Sequence, residues 1–186
     1  MQTVEAYCDL PQLFTPSEFR IKWAAGAWER QEALRLRRAV FCAEQGLFDG
    51  GDDLDAIDPV AQPIVAVAGV GCIGDQVVGC VRIHEAEPGL WWGSRLAVHA
   101  GFRRNVGLAT TLIRLAVSSA HARGATVFLA HVQSQNLALF EHLHWRALKQ
   151  ETLHGRPHHL MQADLAFYPP CYDVMTGYVV RPKAKA

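Results

Sequence analysis

The segment that most constrains this chain is Ser94-Arg95-Leu96-Ala97-Val98, followed by the turn Ala100-Gly101-Phe102 and the loop Arg103-Arg104-Asn105-Val106-Gly107-Leu108-Ala109-Thr110. It joins a strand-like run to an amphipathic helix. Leu108, Leu112, Leu115 and Ala116 fall on one stripe at helical spacing, so a helix is expected from Val106 to Ala122. The N-terminus of such a helix presents unpaired backbone N–H groups and a partial positive charge, which favour an anion. Gly107 lacks the Cβ that would hold a phosphate off the backbone, and Arg103 and Arg104 add fixed charge. The pattern alone also describes an ordinary solvated helix start; the strand before it and the helix after it favour a pyrophosphate site. The chain has neither the GKS or GKT of a nucleotide P-loop nor a GxGxxG run.

Half of the 186 residues are hydrophobic, enough for one well-buried core and too few to require two. A single domain over 1–186 is expected, with a core from about 20 to 166 and a C-terminal extension over 167–186. Lys plus Arg and Asp plus Glu both number 18, so a general nucleic-acid-binding surface is not expected. The five cysteines form no CxxC pair and read as small buried hydrophobes in a reducing cytoplasm. Met1 to Leu10 does not read as a signal peptide, and no apolar run reaches the ~20 residues of a membrane span.

Upstream, Trp28 to Gln45 reads as a helix with Ala33, Leu36, Val40 and Phe41 on one face, ended by Gly46. An acidic loop from Asp49 to Pro59 follows, then three apolar runs, Pro63 to Val70, Gln76 to Ile83 and Leu90 to Val98, which suggest an antiparallel meander. After the long helix come a buried strand from Thr126 to Val132, a short helix from Asn136 to Leu143, and strands from Leu148 to Leu153 and His158 to Leu165. Arg181 to Ala186 reads as a frayed basic tail.

Read as RxxGxA, Arg104, Gly107 and Ala109 fit the Q/RxxGxG/A signature of the Gcn5-related N-acetyltransferases (GNAT), and the order of elements resembles that family over nearly the whole chain. The stretches RRAVFCAEQGLF, RIHEAEPGLWWGSRLAV, RLAVSSAHARG and LHGRPHHLMQADL resemble bacterial N-acetyltransferases of undefined acceptor, some fused ahead of a domain related to AIR synthase and encoded near nitrilases. The resemblance implies an α/β (α+β) acyl-CoA N-acyltransferase fold: a mixed, mostly antiparallel sheet flanked by helices, its central strands splayed. It implies acetyl-CoA as cosubstrate, with the loop from Arg103 through Asn105, Val106, Gly107, Leu108 and Ala109 to Thr110 on the pyrophosphate and the strand Leu96-Ala97-Val98 along the pantetheine arm. A backbone N–H of Leu96 or Val98 would stabilise the oxyanion, a contribution of ~3 kcal/mol. Phe140 stands where many members carry a Tyr acid, and Asn136 or Gln133 where an Asn opens the short helix. The resemblance leaves open a homodimer and an AIR-synthase-related partner protein.

Deprotonating an alkyl ammonium of pKa ~10 requires a base, and Glu44, Glu85 and His84 are the candidates, each also readable as a polar residue at an element end. Arg82 lies in an apolar run and needs a carboxylate partner, which the acidic loop offers. Arg37, Phe41, Asp53, Asp55, Asp58 and Arg82 also resemble the S-adenosylmethionine side of acyl-homoserine lactone synthases, although Phe48 stands where those enzymes usually carry a Trp. The intact Arg104/Gly107/Ala109 loop favours acetyl-CoA, with the acidic loop as an acceptor-side wall for a cationic amine. Arg37, Phe41, Arg82 and Trp92 are then the substrate-side candidates, since Trp91 and Trp92 alternate on a strand and one of them can line the site. The nine histidines are not spaced for a metal, while the turn from His154 to His159 frames the acceptor pocket. Three functions follow: N-acetylation of a small-molecule amine, an acyl-homoserine-lactone-synthase-like acyl transfer, and non-catalytic acetyl-CoA binding that regulates a partner.

Overall fold

The computed structural model describes residues 16–49, 51–70, 73–103 and 107–182. Eight strands form one sheet: β1 (Glu18–Trp23), β2 (Gln62–Val70), β3 (Ile73–Glu87), β4 (Leu90–Val98), β5 (Val127–Gln133), β6 (Trp145–Leu153), β7 (Arg156–Ala163) and β8 (Tyr178–Val180). Their order is β6-β7-β5-β4-β3-β2-β1-β8, and every neighbouring pair is antiparallel except β4 and β5. Connected neighbours need only hairpins; the one parallel pair needs a crossover, and helix α2 (Leu108–His121) supplies it.

Each face of the sheet is covered because each helix has one apolar stripe to bury. Leu112, Leu115 and Ala116 of α2 pack on Ile21, Ile64, Val78 and Phe128, each Leu contributing about 1.5–3 kcal/mol by leaving water. On the other face, Ala33 and Leu36 of α1 (Ala27–Arg37) and Val40 and Phe41 beyond it pack on Val65, Val77 and Cys80. The helix expected from Trp28 to Gln45 is continuous, but its last part, Arg38–Glu44, is wound as a π-helix before Gly46 ends it at φ +59°. A third helix, α3 (Leu137–His142), follows a 3₁₀ turn at Ser134–Asn136.

Two strands lie where none was expected. β1 pairs with β2, and β8 returns from the C-terminal extension to pair with β1, closing that edge of the sheet. The extension is held at Tyr168, which is buried, donates its hydroxyl to the Leu143 carbonyl and accepts from Trp145 Nε1. Two cysteines expected in the core are only half-buried, Cys42 within the π-helix and Cys171 in the coil before β8; Cys80 is buried, and Cys8 and Cys72 lie outside the described residues.

The sheet opens in its middle. β4 and β5 pair only from Leu90 with Val127 to Gly93 with Ala130, and diverge beyond. At that point β4 bulges: Arg82 pairs with Ser94 and Cys80 with Ala97, so Arg95 and Leu96 together oppose the single residue Val81. Arg95 takes φ +57°, a left-handed conformation unusual for a side-chain-bearing residue.

Candidate active site

A cavity of about 520 Å³ runs through the opening between β4 and β5. Ile113, Ala116, Phe128 and Phe140 line it on the α2 side, and Phe41, Phe48, His84, Trp92 and His131 on the other. The second group shares a face because Ile83, Trp91, Ala130 and Val132 point into the α2 core and their neighbours along each strand point away from it. Trp91 is thus a core residue, while Trp92 faces the cavity with its ring 5.0 Å from that of His131. His84 lies beside Trp92 across the β3–β4 pair, so the three rings form a row.

His84 is the one of the three base candidates that the structure brings to the cavity. Burial first, then the positive charge of Arg82, pushes its pKa below the usual imidazole value, and its Nδ1 is buried with no hydrogen-bond partner. A desolvated, unpartnered imidazole is neutral at pH 7 and can accept a proton. Glu85 points to the opposite face and accepts a hydrogen bond from Gly89 N–H at 2.9 Å, capping the β3–β4 turn. Glu44 is exposed and paired to Arg103, both carboxylate oxygens lying 2.6 Å from the guanidinium. Hydrogen bonding to Arg103 holds the Glu44 carboxyl below its ordinary pKa.

Sequence reasoning passed over His131. Its Nε2 lies 2.7 Å from Glu151 Oε1. Burial lowers the His131 pKa despite the carboxylate, so the imidazole is neutral and the contact is not an ion pair at pH 7. Only the pairing β5-β7-β6 brings the two residues together.

Beside the cavity, with only Arg82 and Arg95 reaching its wall, three arginines and three aspartates alternate in a closed ring. Arg37 contacts Asp53 at 2.8 Å and Asp58 at 2.6 Å; Arg82 contacts Asp58 at 2.7 Å and Asp55 at 2.6 Å; Arg95 contacts Asp55 at 3.1 Å and Asp53 at 2.9 Å. Burial pushes the Asp58 carboxyl up, but hydrogen bonds from Arg37 and Arg82 outweigh it and hold the group well below the carboxylate range. The hydrogen bond from Arg82 does the same for Asp55. Of the loop carboxylates expected to form an acceptor-side wall for a cationic amine, Asp53, Asp55 and Asp58 each already face two guanidiniums. Arg37 and Arg82 are structural here, Arg37 lying away from the cavity and Arg82 at its wall. Arg95, read from sequence only as part of a strand, completes the ring.

On the donor side, Gly107 sits at φ +66° as the N-cap of α2, exposed, with no atom within 4 Å of where a Cβ would stand. Among the described residues no side chain caps the helix and its first turn has no acidic residue, so the amides of Leu108, Ala109 and Thr110 have no acceptor there. Leu108 itself is buried in the core, and Ala109 and Thr110 are half-buried. Arg104, Asn105 and Val106 lie outside the described residues. Arg103 points away from an anion at this end: Nε donates to the Val98 carbonyl and the rest pairs with Glu44. Leu96 lines the cavity, whereas the side chains of Ala97 and Val98 pack into opposite cores. Asn136, Gln133 and Phe140 also reach the cavity, Phe140 held edge-on to Trp145 at 5.0 Å and Gln133 donating to Gln45 at 2.9 Å. His154 and His158 line the cavity from the β6–β7 turn. Among the described residues no group of three His, Cys, Asp or Glu is placed to hold a metal.

The acetyltransferase (GNAT) family profile matches residues 28–145, and the chain belongs to that family. No curated protein matches it by sequence. Among solved structures it is similar to an N-acetyltransferase candidate from Lactobacillus plantarum, at 22% identity and TM-score 0.67 over 78% of this chain and 97% of that one. It is also similar to a CoA-dependent acyl-homoserine lactone synthase solved with SAM and isopentyl-CoA, at 16% identity and TM-score 0.65 over 78% and 83%. A third is an N-acyl amino acid synthase from uncultured soil microbes, at 14% identity and TM-score 0.63 over 82% and 93%. The split mixed sheet with flanking helices is thus the acyl-CoA N-acyltransferase fold. No helix among the described residues is long and apolar enough to cross a membrane.

Proposed function

We propose that this GNAT acyltransferase transfers an acetyl group from acetyl-CoA to the amine of a small molecule, with His84 as general base. The observation that carries the reading is the cavity through the split between β4 and β5, lined by Ile113 and Ala116 of the helix that Gly107 begins and, on its far face, by a neutral imidazole. The pyrophosphate takes the free amides after Gly107, the pantetheine arm fills the split along Leu96, and the thioester reaches the crotch near Gly93 and Ala130. His84 takes one proton from the incoming ammonium. The neutral nitrogen then attacks the thioester carbonyl, forming the C–N bond; as the intermediate collapses the C–S bond breaks and the departing sulfur takes the second proton shed by nitrogen. Phe140 supplies no proton, so this transfer needs no protein acid. The unpaired thiols Cys42, Cys80 and Cys171 fit a cytoplasmic setting.

Calorimetric titration of acetyl-CoA tests the donor half. Gly107→Val would place a β-branched side chain in a left-handed conformation and over the anion site. Affinity is expected to fall at least about tenfold, an effect of ~1.4 kcal/mol. Failure of the protein to bind any CoA species, or unchanged binding by Gly107→Val, would refute this reading.

A further inference from the structure

Resting on that reading of the donor half, we propose that the acceptor is a monoamine on a flat apolar body, an arylalkylamine in chemical class, held between two aromatic pairs with its nitrogen toward His84. The first pair is Trp92 and His131, 5.0 Å apart on the sheet floor. The second is Phe48 and His154, ring centroids 4.7 Å apart, joining the segment after the π-helix to the β6–β7 turn. Arg95 lies over the Phe48 ring with its guanidinium carbon 4.8 Å from the centroid, fixing that wall to the bulge. Ile57 also lines the cavity. Such a lining rewards stacking and apolar contact.

The ion-pair ring that reaches the cavity wall at Arg82 and Arg95 selects against the other common amines. Arg82 and Arg95 each hold two carboxylates, so among the described residues neither offers a free guanidinium to the carboxylate of an amino acid. Asp53, Asp55 and Asp58 each meet two guanidiniums, so none is free for the second ammonium of a diamine. Recruiting either group means opening a ring whose members Arg37, Asp53 and Arg82 are buried, which strands a charge. Two neutral imidazoles then face the cavity where the amine must lose its proton.

The test titrates phenethylamine, phenylalanine and cadaverine into the protein saturated with CoA. These share an amine and differ by one carboxylate or by a second ammonium replacing the ring. Phenethylamine is expected to bind at least about tenfold tighter than either, and Trp92→Leu to remove most of that advantage. The affinity of Trp92→Leu for CoA, measured in the same series, is expected to be unchanged and reports that the variant is folded. Equal or tighter binding of phenylalanine or cadaverine, or no amine binding by protein that does bind CoA, overturns the acceptor class and leaves acetyl transfer standing. A protein that binds phenethylamine but no CoA overturns acetyl transfer and leaves the aromatic site.

Discussion

In the proposed reaction His84 carries the proton transfer, and Asp53 belongs to the ion-pair ring beside the cavity. His84 is useful because burial and Arg82 keep it neutral. The proton-accepting form therefore persists down to a pH below the ordinary imidazole value of ~6.5, and the rate should fall only under that point. His84→Gln is expected to lower kcat/KM by about 10²–10⁴ and to abolish that acidic limb while leaving acetyl-CoA affinity unchanged. A pH–rate profile of the variant that retains the limb would assign the base elsewhere. Asp53 is 2% exposed and joins Arg37 to Arg95. Asp53→Asn leaves the buried Arg37 and the half-buried Arg95 short of a counter-charge, and urea unfolding should show a loss of about 3 kcal/mol.

Among the elements, the β4 bulge and the short strand β8 do opposite work. The bulge breaks the ladder so that the sheet can open, and its strained residue Arg95 is held by hydrogen bonds to the Asp53 carbonyl and the Asp55 carboxylate. β8 closes an edge, and it depends on Gly177, whose φ of +57° places a Cβ position against the Ile21 carbonyl oxygen. Gly177→Ala is expected to detach the strand, costing more than the ~1 kcal/mol typical of surface substitutions. Hydrogen exchange should then quicken over 178–180 and the facing Phe19 to Ile21 amides before it does in β4 or β5. Uniform protection across β1 and β8 in that variant would show the edge to be held by other contacts.

At the scale of the molecule, the ring ties α1, β3, β4 and the acidic loop into one unit, so its titration is a property of the fold. Asp55 and Asp58 have folded pKa values below the ~3.9 of an unfolded Asp. Below that value the unfolded chain binds more protons than the folded one, so their contribution is complete at neutral pH and is lost as pH falls from about 4. Urea midpoints measured from pH 7 to 3 should stay level to about pH 4 and then drop. Asp58→Asn should lower the neutral plateau and flatten the drop, whereas an unchanged slope would mean that other carboxylates govern acid unfolding.

The sequence by itself determined what depends on neighbours within a few turns: the apolar stripe of α1, the three meander strands, and the strand, loop and glycine that start α2. Those signals are periodic and local, which is why a donor-side segment from Leu96 to Thr110 could be proposed from them, and why His84 stood on a short list of bases. Only the tertiary structure shows which member of that list lines the cavity, because this rests on which face Glu85 takes, on Arg103 meeting Glu44 across 59 positions, and on where His84 is buried. The Arg95 bulge, the closed ring and the row from His84 to His131 likewise arise from pairings between distant strands and loops. Such pairings are set by packing and register across the sheet, and no run of adjacent residues encodes them.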